Sequence, residues 1–259
     1  MNRKNTERKS VPEASVIDDF LRPFTTDTPL LRVGDFGDGG YLVPDDLRGI
    51  AACYSPGVSQ QASFEMDMAK RCIPSFMADA SVAEPPLHVP GAQFVPKFLG
   101  DKDAGEFMTL ASWITATDPD PDADLLLQMD IEGAEYATLG AAPRDLLWRF
   151  RMIVIELHHL PSILTKPKFA KRALSAINKL REDFVTVHLH PNNVSGAVEI
   201  EGQMIPRVVE ATLLRKDRAQ GIRPVESLPH PLDVRHNLRK PALVLPQRWM
   251  SDANSQHQI

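Results

Sequence analysis

Cysteine, excess positive charge and long apolar runs are all scarce in this sequence of 259 residues. Its two cysteines, Cys53 and Cys72, are too few for a disulfide framework, and both lie in apolar stretches where reduced, buried thiols are common. No run approaches the roughly 18 to 20 apolar residues that a bilayer-spanning helix needs. The polar amino-terminal stretch lacks the apolar segment of a signal peptide. We therefore expect a protein without a transmembrane segment, located in the cytoplasm.

The charge balance narrows the class of partner. The formal net charge is −5, whereas nucleic-acid-binding proteins normally carry a basic surface that neutralises phosphates. The one basic cluster, Arg3, Lys4, Arg8 and Lys9, lies within residues 1–14, which we expect to form a disordered tail. Neither DNA nor RNA is therefore expected as the principal partner.

Several common ligand-binding motifs are also absent. The sequence has no complete Gly-x-Gly-x-x-Gly, which disfavours a nicotinamide cofactor, and no glycine loop ending in Gly-Lys-Ser/Thr, which disfavours a P-loop nucleotide site. It has no His-Glu-x-x-His or similar metal-ligand spacing either. We accordingly predict no metal site.

Apolar runs of strand length alternate with segments of helical periodicity from about residue 50 to residue 182, a pattern typical of βαβ units and a mainly parallel sheet. The last connection contains no helical pattern, so we expect the two final strands to pair antiparallel. These patterns predict one α/β domain over residues 15–216, with a seven-stranded, mostly parallel sheet and helices on both faces. Residues 217–259 are rich in proline and expected to be irregular. The predicted strands are residues 51–58, 75–78, 93–99, 124–129, 152–157, 184–189 and 208–214.

Between these strands, apolar residues recur at helical spacing. Pro74 ends the first of these helices, and Pro143 divides a later one into two pieces. The apolar stripes of the predicted helices are Phe64, Met68, Ala69 and Cys72; Phe107, Leu110, Ala111 and Ile114; and Phe169, Ala173, Leu174, Ile177 and Leu180.

The most distinctive segment follows the fourth predicted strand, where Asp130, Glu132 and Glu135 place three carboxylates within six residues. Open α/β sheets bind ligands at the carboxyl ends of their strands, and a carboxylate positioned there can remove a proton. Asp130 is our first candidate for a catalytic base, with Glu132 beside it. Alternatively, Glu135 caps or pairs on the following helix, and Asp130 only accepts backbone hydrogen bonds from Gly133 and Ala134.

Histidines follow the next two strands. Glu156, His158 and His159 end the fifth strand, where they can face the same cleft from the side, so His158 is the alternative base. His188 and His190 alternate along the sixth strand and therefore share one face. A single histidine more commonly has a structural or surface role, and that interpretation stays open for all of them.

The turn after the first strand has features of a cofactor pocket. Gly57, followed by Val58, permits close approach of a ligand to the backbone at a helix amino terminus. Asp79 follows the second strand 22 residues later, near the spacing at which an acidic side chain reaches ribose hydroxyls. The pair suggests an adenosyl pocket. The alternatives are an ordinary turn at Gly57 and a helix or turn cap at Asp79.

Two further segments precede or follow this turn. Residues 34–40 contain four glycines in seven positions, and Tyr41 follows them. This suggests a lid or cofactor-contacting loop with Asp38 and Tyr41 facing the ligand; the alternative is a tight β-turn. Glu65 opens the first helix, where it is either a partner of the helix dipole or a cofactor contact.

Together these motifs resemble the FkbM-like methyltransferase family, over about residues 30 to 216. The resemblance implies a Rossmann-like class I methyltransferase fold, S-adenosylmethionine as cofactor, and methylation of a hydroxyl group on a saccharide or related small acceptor. It places Gly57 and Asp79 on the cofactor, and Asp130 and Glu132 where cofactor and acceptor meet. The matching segments are GDGGYLVP at 37–44, YSPGVS at 54–59, SFE at 63–65, MADAS at 77–81, MDIEGAE at 129–135 and IELH at 155–158.

The first loop departs from the pattern common in that family. Residues 54–59 stand where Asp-x-Gly-x-Asn-x-Gly is usual, and they resemble a subgroup that has Ser-Phe-Glu downstream. One rival hypothesis is a catalytically silent module that binds a partner in glycan assembly. Another is a nucleic-acid methyltransferase, which would show a basic groove or a base-flipping loop. The sequence predicts neither the acceptor nor the oligomeric state.

Overall fold

The structure, a computed structural model, describes residues 11–59, 61–117 and 120–250. The strands are β1 Phe24–Thr25, β2 Leu30–Val33, β3 Tyr41–Pro44, β4 Ala52–Pro56, β5 Ser75–Ala78, β6 Gln93–Val95, β7 Phe98–Leu99, β8 Phe107–Met108, β9 Leu125–Met129, β10 Phe150–Leu157, β11 Phe184–Pro191, β12 Ala197–Ile200, β13 Gln203–Pro206, β14 Val209–Arg215 and β15 Arg223–Pro224. The helices are α1 Val11–Leu21, α2 Ser63–Lys70, α3 Leu110–Thr117, α4 Glu135–Ala141, α5 Arg144–Trp148, α6 Leu160–Thr165 and α7 Pro167–Asp183.

Seven strands form the central sheet, in the order β11-β14-β10-β9-β4-β5-β6. Neighbouring strands from β10 to β6 run parallel, whereas β14 lies between β10 and β11 and pairs antiparallel with both. The predicted fold class is therefore confirmed, including the antiparallel closing strand. Each of the seven predicted strands has its counterpart in this sheet.

The two faces of the sheet are covered differently. Alternate residues of a strand point to opposite faces, so Leu127 and Ile153 pack with α1 and with α3 to α7 on one face. Leu126 and Val154 pack on the other face against α2 and the hairpin formed by β2 and β3. The hairpin brings the glycine-rich residues 34–40 to the carboxyl end of the sheet, where α2 also begins.

Three local predictions were wrong. The third strand ends at Val95 instead of residue 99, because Pro96 has no N–H for the ladder; Phe98 and Leu99 pair instead with β8 in a separate two-stranded sheet. Phe107 belongs to β8 and not to the following helix. Cys72 lies beyond the end of α2 and is exposed, while Cys53 is buried as expected.

Both ends of the described chain pack onto the sheet. Helix α1 begins at Val11, inside the stretch expected to be a tail; residues 1–10 lie outside the described residues. Residues 219–250 are mostly irregular, with β15 and a 3-10 helix at Gln247–Trp249. Trp249 is fully buried in the main core, and its Nε1 donates to Asp18 at 2.8 Å. None of the helices in the described ranges is long and apolar enough to cross a membrane.

Candidate active site

The carboxyl ends of β4, β5, β9 and β10 meet at one edge of the sheet, and Gly57 lies at the centre of that edge. Gly57 has a φ of +93°, and a Cβ built there would overlap the carbonyl oxygen of Asp130. Only glycine fits both the left-handed conformation and the close approach of the two backbones. Gly57, predicted to lie against a cofactor, is therefore located where the backbones that follow β4 and β9 come into close contact.

Two cavities open on either side of this contact, and both are bounded by Gly57, Ser59, Asp130 and Glu132. One cavity, of about 370 Å³, is mainly apolar; its other lining residues are Ala78, Asp79, Ser81, Phe98, Leu99, Phe107, Ile131 and Ala134. The second, of about 270 Å³, is more polar; its other lining residues are Asp38, Gly39, Tyr41, Val58, Gln61, Ser63, Phe64, Glu65 and Gln128. All the predicted cofactor residues therefore line one cavity or the other.

Asp79 both supports the turn and borders the apolar cavity. Its Oδ2 accepts the backbone N–H of Ser59 at 2.9 Å, and its Oδ1 accepts that of Ser81 at 2.7 Å. The structure therefore shows the turn-cap role of Asp79, and its carboxylate, which also borders the cavity, can accept further hydrogen bonds there.

Glu65 lies in the first turn of α2 and borders the polar cavity. Its carboxylate is buried and is hydrogen-bonded by the Ser55 hydroxyl, which also lies 2.5 Å from Gln128 Oε1. Burial raises the pKa of Glu65 from 4.5 to about 6, although the hydrogen bond from Ser55 acts in the opposite direction. The cavity therefore contains a carboxylate whose ionisation is costly unless a cation accompanies it.

The turn after β9 is held by Glu135 rather than by Asp130. Glu132 and Gly133 both have positive φ, at 54° and 105°. Glu135 Oε1 accepts the backbone N–H of Ile131 at 3.2 Å and that of Gly133 at 3.0 Å. The suggestion that Asp130 accepts the backbone N–H groups of Gly133 and Ala134 is wrong, because Gly133 donates to Glu135 and Ala134 donates to the Ile131 carbonyl oxygen. Asp130 Oδ1 is buried with no hydrogen-bond partner among the described residues.

His158 connects this turn to the end of β10. Its Nδ1 lies 3.0 Å from Glu135 Oε1, which fixes the ring. Its Nε2 faces three further carboxylate oxygens: Glu132 Oε2 at 3.4 Å, Glu156 Oε2 at 3.7 Å and Asp130 Oδ1 at 3.8 Å. The prediction that the strand-end carboxylates and His158 face a common cleft is therefore supported by measured distances.

The crowding of charge shifts the ionisation of this group. Burial raises the pKa of Asp130 to about 7; the His158 charge lowers it, while Glu132, Glu135 and Asp38 raise it. Burial, followed by repulsion from Asp130, Glu210 and Asp38, raises the pKa of Glu156 to about 10. Burial lowers the pKa of His158, but the hydrogen bond and charge of Glu135 outweigh it and raise the value to about 9. The protein alone therefore leaves negative charge here without full compensation.

The glycine-rich loop borders the polar cavity through Asp38, Gly39 and Tyr41. Tyr41 is buried, and burial raises its pKa well above 10, with Glu156 and Glu210 adding to the effect. The loop is also the turn of a hairpin, so the two interpretations of this segment are compatible.

His188 and His190 share a face as predicted, with nearly parallel rings 6.5 Å apart, but they line neither cavity. His188 Nε2 lies 2.9 Å from Asp233 Oδ1, and His190 Nδ1 lies 3.5 Å from Asp233 Oδ2. Their contacts therefore fasten the C-terminal segment. Sequence reasoning missed this partner, because residues 217–259 show no periodic pattern that would place them.

The comparisons agree with this geometry. Residues 106–184 match the family described as methyltransferase FkbM domain, a segment that includes Asp130, Glu135 and His158. No curated protein matches the chain. The resemblance seen in the sequence is confirmed over this segment: residues 106–184 are similar to the methyltransferase FkbM domain, and this similarity supports a methyltransferase.

Proposed function

We propose that this methyltransferase uses S-adenosylmethionine to methylate a hydroxyl group of a saccharide or related small acceptor. The observation that carries the proposal is the pair of cavities, one apolar and one polar, that share Gly57, Asp130 and Glu132 as a common wall. Adenosylmethionine has the same division, since an apolar adenine ring and a charged methionine portion lie on either side of its ribose.

The residues present fit this cofactor. Asp79 borders the apolar cavity, where its carboxylate suits ribose hydroxyls, and the rings of Phe98 and Phe107 suit adenine. Asp38 and Glu65 border the polar cavity, where their carboxylates suit the ammonium and sulfonium charges. When bound, the cofactor would supply an electrophilic methyl group beside Asp130.

The chain's own residues would then manage the acceptor and its proton. Asp130 lies in the shared wall, nearer to both cavities than His158, so it would accept the proton that the hydroxyl releases. His158, fixed at Nδ1 by Glu135, would favour the ionised form of Asp130 through the charge of its ring, whose Nε2 lies 3.8 Å from Asp130 Oδ1. The exposed Glu132 would border the entrance for the acceptor.

Calorimetric titration with adenosylmethionine tests the cofactor. We expect saturable binding by the wild-type chain, a loss of at least about tenfold in affinity for Asp79→Ala, and little change for the matched control Asp122→Ala, whose exposed side chain lies outside both cavities. Absence of binding by the wild type, or equal binding by Asp79→Ala, would contradict the assignment.

A screen of hydroxyl-bearing saccharides by mass spectrometry tests the reaction. We expect addition of one methyl group to an acceptor by the wild type and loss of turnover in Asp130→Asn with cofactor binding retained. A chain that binds the cofactor but methylates no acceptor in a broad library would instead support a silent binding module.

A further inference from the structure

Behind the polar cavity, three segments that are distant in sequence bring metal-binding side chains together. Asp38 comes from the glycine-rich loop, Glu156 from the end of β10, and His236 from the C-terminal segment. One ligand atom of each lies within 4.8 Å of the others. The group includes neither Asp130 nor His158, but it adjoins the proposed site of proton removal, because Glu156 Oε2 lies 3.7 Å from His158 Nε2.

Two of these side chains are buried and have few partners. The Glu156 side chain is only 4 % exposed, and Oε1 accepts a long hydrogen bond from Asn192 Nδ2 at 3.5 Å. His236 is 1 % exposed, and its Nδ1 is buried without a partner in the described chain. Buried polar atoms are normally paired, so both call for a ligand.

The neighbouring charges do not satisfy this group. Glu210 adds a further buried carboxylate, 2.6 Å from His236 Nε2. The Arg32 guanidinium donates to the backbone oxygens of Asp35 and Gly37 rather than to the carboxylates. Among the ionisable nitrogens of the described residues, the closest to Glu156 is His158 Nε2 at 3.7 Å, too far for a hydrogen bond. An additional cation would therefore offset the cost of ionising these buried carboxylates.

We propose that Asp38, Glu156 and His236 bind a divalent metal ion. Two carboxylates and one imidazole are a donor set typical of Mn²⁺, Fe²⁺ and Zn²⁺. Glu210, hydrogen-bonded to the His236 ring, matches the carboxylates that commonly orient metal-binding histidines from behind.

The ion would join the glycine-rich loop, the sheet and the C-terminal segment at a single point. Because Asp38 also lines the polar cavity, coordination positions left open by the protein would be accessible from that cavity. The ligands are 118 and 80 residues apart in sequence, by subtraction of their positions, which explains why no motif spacing indicated the site.

Mn²⁺ alone is a suitable probe, because its free aqueous form gives an electron paramagnetic resonance signal that binding removes. The full chain is first freed of metal with a chelator and then titrated with Mn²⁺. We expect one bound ion per chain, and affinity lowered by about tenfold or more in Asp38→Asn and in His236→Gln. The matched controls Asp35→Asn and His230→Gln alter the same loop and the same segment outside the group, and they should keep wild-type affinity.

Two results would overturn the proposal. The first is the absence of saturable Mn²⁺ binding. The second is binding that is retained in Asp38→Asn and His236→Gln but lost in Asp130→Asn or His158→Gln. That result would place the ion on the alternative group of Asp130, Glu156 and His158. Circular dichroism checks that each variant folds, and the isosteric Glu156→Gln serves if one does not. Cofactor titration of the metal-free chain separates this result from the proposed function, since either binding event can fail alone.

Discussion

Glu135 Oε1 lies 3.0 Å from Nδ1 of His158, and the same oxygen also accepts two backbone N–H groups of the turn that carries Asp130. Glu135 is completely buried. One carboxylate therefore sets both the orientation of His158 and the shape of the turn. A substitution that keeps the size of Glu135 but removes its charge can separate these two roles.

We expect Glu135→Gln to fold and to bind cofactor with a similar affinity, but to lower kcat by about tenfold or more, because a neutral amide holds the imidazole less firmly. Nitrogen NMR over a range of pH should show that the pKa of His158, raised to about 9 in the wild type, falls in the variant, because the hydrogen bond and charge of Glu135 that raise it are lost. A purely structural role for Glu135 would instead lower the free energy of unfolding and leave the pKa of His158 unchanged.

Gly57→Ala should destabilise the chain and abolish cofactor binding. The added Cβ meets the Asp130 carbonyl oxygen, and the positive φ strains any other residue. Gly91→Ala is the matched control, because Gly91 also has a positive φ of +74° but open space around its Cβ position. Urea unfolding should show a loss of about 1 kcal/mol for the control and clearly more for Gly57→Ala. Equal losses would mean that the close approach contributes nothing.

Glu65→Gln should stabilise the fold at neutral pH while weakening cofactor binding. The pKa of Glu65 is raised in the folded state, from 4.5 to about 6. Protonated Glu65 therefore contributes its full stabilisation of the folded state below pH 4.5, and this contribution is lost as the pH rises through about 6. A shift of this size corresponds to about 2 kcal/mol.

Urea unfolding of wild type and Glu65→Gln over a range of pH measures this effect. Relative to wild type, the free energy of unfolding of the variant should increase by about 2 kcal/mol as the pH rises from about 4 to about 7. The same substitution at the exposed Glu106 is the control and should show no such growth. If the difference in free energy of unfolding between wild type and Glu65→Gln did not change with pH, burial of the Glu65 carboxylate would have no energetic cost.

Trp249 should be a major anchor of the C-terminal segment. Its side chain is fully buried and contacts the core that includes α1. Trp249→Ala should lower the free energy of unfolding by about 3 to 5 kcal/mol. Trp249→Phe keeps a ring but loses the hydrogen bond to Asp18, so a smaller loss, near 1 kcal/mol, is expected. Thermal unfolding monitored by circular dichroism compares them; a silent Trp249→Ala would mean that the segment does not pack stably.

The sequence by itself determined the seven strands, the antiparallel closing strand and the edge of the sheet that carries Asp130 and His158. These features follow from local periodicity, since a strand or helix is encoded by residues that are close neighbours in the chain. The position of Gly57 and Asp79 at strand ends is local in the same sense, so the sequence alone predicts it.

The tertiary structure decided what these residues touch. It alone showed that Glu135 rather than Asp130 holds the turn. It also showed that Asp233 contacts His188 and His190, and that Phe98 pairs with Phe107. Such contacts join segments that are remote in sequence, and each forms only when the whole chain has packed. Periodicity cannot encode them, because they depend on distances in space that no spacing along the chain records.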